Sequence, residues 1–254
     1  NAGRAMRCVH RLWVFLWLTA FGLGIGLLSL YLTANSYASI DAQALWESYF
    51  KLPLLVVMDL LLPLLVVYLG FFLFARPWAA GLLSAVPFLG LALASYYMIQ
   101  LRGDPVLASD LRLIRTAGGI MGNYTFELTE PVKLVIAGFV GMLIFSVVLL
   151  RRERMSQRGR LVGLMAMLTL TLASYFELYT SADIYEKTAN NSLINPWSEV
   201  EIYLSRGTTY PFLYSVKDMF PDAPSGYRES EATGTLAEYE NADIPEEQKI
   251  TFVG

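Results

Sequence analysis

The sequence predicts an all-α membrane protein with five transmembrane helices, and with short interfacial helices in its outer loops and C-terminal linker. Three observations predict it. Of 254 residues, 55% are hydrophobic and 16% are charged, where a soluble domain carries about 25% charged residues. Five apolar runs each reach the ~20 residues needed to cross a ~30 Å hydrocarbon layer. Arginine gathers in alternate connections between those runs, as it does in segments retained in the cytoplasm.

The first span is expected at residues 12–32, behind Arg4, Arg7 and Arg11. Its length, and the lack of a small-residue cleavage site after it, favour a retained helix over a signal peptide. Gly22, Gly24 and Gly26 within it either permit close helix contact or are simply tolerated in lipid. Residues 33–51 form a polar loop in which Leu45, Trp46, Tyr49 and Phe50 suit the membrane interface.

The second span, 52–74, contains Asp59 and Pro63. A carboxylate near mid-span is costly and faces the bundle interior, as a polar relay or as a hydrogen-bonded packing residue. Pro63 is expected to kink the helix. Arg76-Pro77 turns the chain into a third span, 78–100. The fourth, 131–150, opens on Pro131, whose missing N–H is harmless in a first turn. The connection 151–160 carries five arginines against one glutamate, and a fifth span follows at 161–180 with Glu177 near its end. The basic connection places the N-terminus and the Arg76 turn in the cytoplasm, and residues 33–51, 101–130 and 181–254 outside.

Residues 1–180 therefore read as the membrane domain and 181–254 as an extracytoplasmic linker. In the linker, Trp197, Val200, Tyr203 and Leu204, and again Phe212, Leu213, Val216 and Met219, recur at helical spacing. These two short helices lie on the outer leaflet or dock on the protein. A charged helix is expected over 230–239. Residues 250–254 read as the start of a strand, so the chain reads as a fragment of a longer protein.

Cys8 and His10 are the only residues of their types, which excludes an intrachain disulfide, a cysteine metal site and a His-dependent triad within this sequence. No glycine-rich phosphate loop or zinc signature is present, and no basic stripe with aromatics suits nucleic acid. Asp59 and Glu177 are not spaced as a catalytic pair.

The outer loop 101–124 offers more, with three arginines and two aspartates. A helix is expected from Ser109 as N-cap, with Asp110 at its positive end. Arg112 and Arg115 then share one edge and can clamp a phosphate, with Arg102 a weaker contact and Asp110 orienting them or capping the helix. The alternative is arginines that snorkel and pin an interfacial helix.

Five spans combined with Arg102-Gly-Asp-Pro-Val-Leu-Ala-Ser-Asp-Leu111, Asn195-Pro-Trp197, Gly207 through Tyr214, Gly226-Tyr227 and Ile244-Pro-Glu-Glu-Gln-Lys-Ile-Thr-Phe-Val253 resemble the membrane part of the lipoteichoic acid synthase family. Members often show Asn-Gly-Phe where this chain has Arg206-Gly207-Thr208. The resemblance implies a bacterial cell-membrane protein that anchors an extracellular sulfatase-like domain and presents phosphatidylglycerol for phosphoglycerol transfer. It places the threonine nucleophile and a divalent metal, Mn or Mg, in that further domain. No cofactor and no catalytic residue is assigned to this chain. Two other readings stand beside it: a stand-alone membrane interaction or transport protein using Asp59 and Glu177, and the membrane domain of a phosphoethanolamine-type transferase.

Overall fold

The structure is a computed structural model that describes residues 2–113, 127–150, 155–191, 194–195, 197–219 and 233–234, with side chains from residue 9 onward. Two compact units divide the chain at Met219, and the first holds every element below. Residues 181–219 thus share a unit with the spans. The helix expected at 230–239 and the strand at 250–254 fall in the second unit, outside the described residues except for Thr233 and Gly234.

Among the described residues the fold is entirely helical: α1 (Ala2–Ala34), α2 (Ala42–Tyr49), α3 (Pro53–Phe74), α4 (Pro77–Arg102), α5 (Glu130–Leu149), α6 (Gln157–Ser174), α7 (Ala182–Lys187), α8 (Glu199–Ser205) and α9 (Thr209–Ser215). Five helices are long and apolar enough to cross a membrane, at Val9–Ala34, Pro53–Phe74, Pro77–Arg102, Glu130–Leu149 and Gln157–Tyr179. The all-α, five-span expectation therefore holds. Proline opens α3 and α4 and stands in the first turn of α5, where its missing N–H costs nothing. The fifth span starts four residues earlier than its apolar run, because Ser156 caps α6 by accepting from the Gly159 N–H at 3.1 Å. It ends in a π-helical turn, Tyr175–Tyr179.

Helices α1, α3 and α4 pack on one another as the core, with α5 against α1 and α4, and α6 against α3. The glycines of α1 are what bring it so close. A Cβ on Gly22 would lie 2.7 Å from the Leu64 Cα, and one on Gly26 2.4 Å from the Leu60 side chain. On the other side, a Cβ on Gly24 would meet the Met142 sulfur at 2.8 Å. The three glycines are thus close-contact positions, two toward α3 and one toward α5.

One end of the bundle is capped. There α2 starts on Asp41, whose carboxylate accepts from the Gln43 and Ala44 N–H groups, and it buries Leu45 and Tyr49 against the core. The segment 181–219 folds onto the same end, with α8 and α9 docked on protein: Tyr203, Leu204 and Tyr210 are buried. The other end holds the Arg76 turn and the start of α6, where Arg160 donates to the Phe72 and Leu73 carbonyls in the last turn of α3.

Candidate functional site

The capped end gathers most of the buried polar contacts. Asp59 is the seventh residue of α3, so it sits about 9 Å from the helix start at 1.5 Å per residue. It belongs to the second turn next to the capped end, which revises the mid-span position expected from the sequence. Pro63, four residues on, has no N–H, so the helix cannot close its usual bond to the Asp59 carbonyl. The side chain is enclosed, and its Oδ1 accepts from the Tyr210 N–H at 3.2 Å. Asp59 therefore satisfies a first-turn donor of α9, whose own N-cap residue Thr208 makes no side-chain cap. Oδ2 has no hydrogen-bond partner among the described residues.

Gly207 makes this approach possible. Its φ of 81° lies in the left-handed region, and a Cβ there would stand 2.4 Å from Asp59 Oδ2 and 2.6 Å from Oδ1. Only glycine meets both demands at low cost.

Further bonds fasten the same segment. The Thr33 and Thr208 hydroxyls lie 2.5 Å apart. The Tyr49 hydroxyl donates to the Leu204 carbonyl at 2.7 Å, and Asn190 Nδ2 donates to Ser48 Oγ at 2.8 Å. The Tyr203 hydroxyl reaches the Val106 carbonyl at 3.0 Å and the Thr208 carbonyl at 3.2 Å. Burial pushes the Tyr49 and Tyr203 phenols well above the usual tyrosine range, and Tyr210 up to about 12. Arg206, also buried, lies over the Tyr185 ring at 4.4 Å. Tyr185 in turn stacks on Tyr214 at 3.8 Å, and Lys217 stands over Tyr214 at 3.5 Å. The tail is thus clasped through side chains from α1, α2 and α3.

The described part of the 101–124 loop joins the same surface. Instead of the helix expected from Ser109, the described part is a short 3-10 turn, Ala108–Leu113. Asp110 explains the difference. Its Oδ2 accepts from Arg102 at 2.7 Å and from the Leu107 N–H at 2.9 Å, so it closes the loop onto the end of α4. The Val106 N–H donates to Ser95 Oγ and the Ala108 N–H to Ser215 Oγ, each at 3.2 Å. Arg112 donates to the carbonyl of Met219, the last residue of the first unit. Arg115 lies outside the described residues. Of the three arginines expected at a headgroup and Asp110 expected to orient them or cap the helix, the structure pairs Arg102 with Asp110 and sets Arg112 on the tail.

Glu177 is exposed on the π-helical turn, whereas Asp59 is enclosed, and no hydrogen bond joins them. Among the described residues no three His, Cys, Asp or Glu side chains stand together as metal ligands.

Gly207, Asn190, Tyr49 and Tyr203 carry the clasp and were not singled out as site residues from the sequence. The one usable signal was Asp59 itself, since an acidic residue in an apolar run demands a buried partner. Compared with known proteins, the chain matches no family model, no curated protein and no solved structure.

Proposed function

We propose that this chain is the membrane domain of a phosphoglycerol transferase of the lipoteichoic acid synthase type. In this reading it sits in a bacterial cell membrane with its N-terminus cytoplasmic and its capped end outside. It anchors a sulfatase-like domain and draws an anionic lipid, phosphatidylglycerol, toward it. One observation carries the reading: Arg112 holds the Met219 carbonyl. The turn that bears Arg112 and the last residue of the first unit are therefore in contact. In this reading the Arg112 guanidinium, which can attract a lipid phosphate, lies against the end of the part of the tail that packs on the bundle. The Arg102–Asp110 pair holds that loop against the end of α4.

The test is charge reversal of Arg112 and Arg115 together in the full-length protein, with labelled phosphatidylglycerol or phosphatidylethanolamine as donor. Polymer synthesis from phosphatidylglycerol is expected to fall about tenfold or more while protein abundance in the membrane holds. Unchanged synthesis removes the arginines from the mechanism. Transfer from phosphatidylethanolamine alone replaces the proposal with a phosphoethanolamine-type transferase. A coding sequence that stops at Gly254 leaves only a membrane protein without a catalytic partner.

A further inference from the structure

The opposite end of the bundle has a feature of another kind. A groove of about 770 Å³ runs from the Arg76 turn along α4, between Phe74, Trp78, Leu82, Val86 and Pro87. Arg76 is the one charged residue among those lining it. We propose that this groove binds an anionic phospholipid, with one acyl chain along α4 and the phosphate on the Arg76 guanidinium.

The dimensions suit that ligand. Pro77 to Pro87 is ten residue steps of α4, about 15 Å at 1.5 Å per residue. That is half of a ~30 Å hydrocarbon layer, so the groove is one leaflet deep and begins at the membrane edge. Its volume lies within the range of small-molecule sites. Val86 on its wall is 70% exposed, so the groove opens away from the helical core. At that depth the surrounding medium is lipid chain.

The mouth suits a phosphate. Ala75 adopts φ 53°, which reverses the chain after α3, and Arg76 follows in an extended conformation ahead of Pro77. This turn leaves Arg76 exposed at the end of the span, with its guanidinium 5.9 Å from the Trp78 ring. No carboxylate pairs with it among the described residues. Trp78 is the residue type favoured at the membrane interface. A guanidinium there matches a phosphate by paired hydrogen bonds. A positive mouth that pairs with no carboxylate among the described residues favours a headgroup of net negative charge over a zwitterionic one. The site is separate from the Arg102–Arg112 loop at the capped end, so it stands or falls independently of the transferase reading.

The experiment is native mass spectrometry of the purified chain in detergent, titrated with equimolar phosphatidylglycerol and phosphatidylcholine. The expected result is retained phosphatidylglycerol adducts in clear excess. Arg76→Gln is expected to reduce that excess about tenfold, and Val86→Trp, which fills an exposed wall position, to remove the adducts. Lys133→Gln, on α5 beside Glu130, is expected to leave both unchanged. Equal retention of the two lipids by the parent chain overturns the proposal. So does an excess that survives Arg76→Gln, or a dimer signal abolished by Val86→Trp without any lipid preference, which would make the groove a contact between copies.

Discussion

The two ends of the bundle are held in different ways. At the capped end, buried side chains reach across the fold: Asp59 to Tyr210, Thr33 to Thr208, Tyr49 to Leu204, and Asn190 to Ser48. At the arginine end, the described contacts are partly exposed and fewer, led by Arg160 on the Phe72 and Leu73 carbonyls. A buried donor or acceptor that loses its partner costs the full desolvation of the group left behind, whereas an exposed one recovers water. The difference separates a rigid, specified surface from one that remains open to the surrounding medium. It also fits the division of roles proposed above. The capped end holds the described part of the tail up to Met219, and the other end offers a groove.

The largest effect is expected at the clasp. Asp59→Ala leaves the buried Tyr210 N–H without an acceptor, a loss of about 2 kcal/mol. Asp59→Asn keeps an acceptor oxygen and is expected to lose less than half as much. Gly207→Ala places a Cβ against the same carboxylate at a positive φ and is expected to match or exceed Asp59→Ala. Thermal unfolding in detergent, combined with protease sensitivity of residues 181–219, measures all three. If the alanine variants unfold like the parent chain and keep the tail protected, the capped end is not the better-held one.

Alkaline pH probes the same end without mutation. The folded-state pKa values of Tyr49, Tyr203 and Tyr210 are raised by burial, the last to about 12. An unfolded tyrosine ionises near pH 10. Below about pH 10 both states are neutral, so these groups contribute no pH dependence. Above it the unfolded chain releases protons first, and stability falls as pH rises toward about 12. The unfolding temperature is therefore expected to be insensitive to these phenols from about pH 7 to 9 and to drop beyond about 10. Loss of tail protection should accompany the drop. A tail that stays protected while the bundle melts would assign the alkaline transition elsewhere.

Tyr49→Phe isolates one strand of the clasp. It keeps the buried ring and removes the bond to the Leu204 carbonyl, for an expected loss of about 1 kcal/mol. Combined with Asp59→Ala, the two losses should fall short of or exceed their sum, since both residues hold the same segment. Strict additivity would mean that the tail is fastened at independent points.

The spans were legible because lipid imposes a one-dimensional rule: an apolar run of sufficient length, with proline and capping residues at its start. The glycines of α1 were legible as contact candidates but not as to their partners. The clasp was not legible, for a physical reason. The partner of Asp59 is a backbone N–H 151 residues away, and a backbone donor has no signature in sequence. Gly207 reads as an ordinary turn glycine until the carboxylate beside it is known. The loop at Ser109 shows a different limit. The sequence favoured Asp110 at a helix N-terminus, but a carboxylate that bonds Arg102 and its own upstream N–H stabilises a tight turn instead.

The smallest effect is expected at the arginine end, and it decides whether the comparison is sound. Arg160 closes the C-terminal turn of α3, where the last carbonyls lack helical donors and the helix dipole favours a cation. Arg160→Gln removes both contributions, yet these carbonyls lie where water and lipid headgroups can replace the lost donor. The expected loss is therefore about 0.5–1 kcal/mol, below that of Tyr49→Phe. It should shrink as salt is raised, because the dipole contribution is screened while the buried bonds of the clasp are not. A salt-independent loss as large as that of Asp59→Ala would mean that α6 is pinned to α3 as firmly as the tail is pinned to the capped end. The arginine end would then be a second specified surface, and the asymmetry between the ends would have to be sought in chemistry rather than in rigidity.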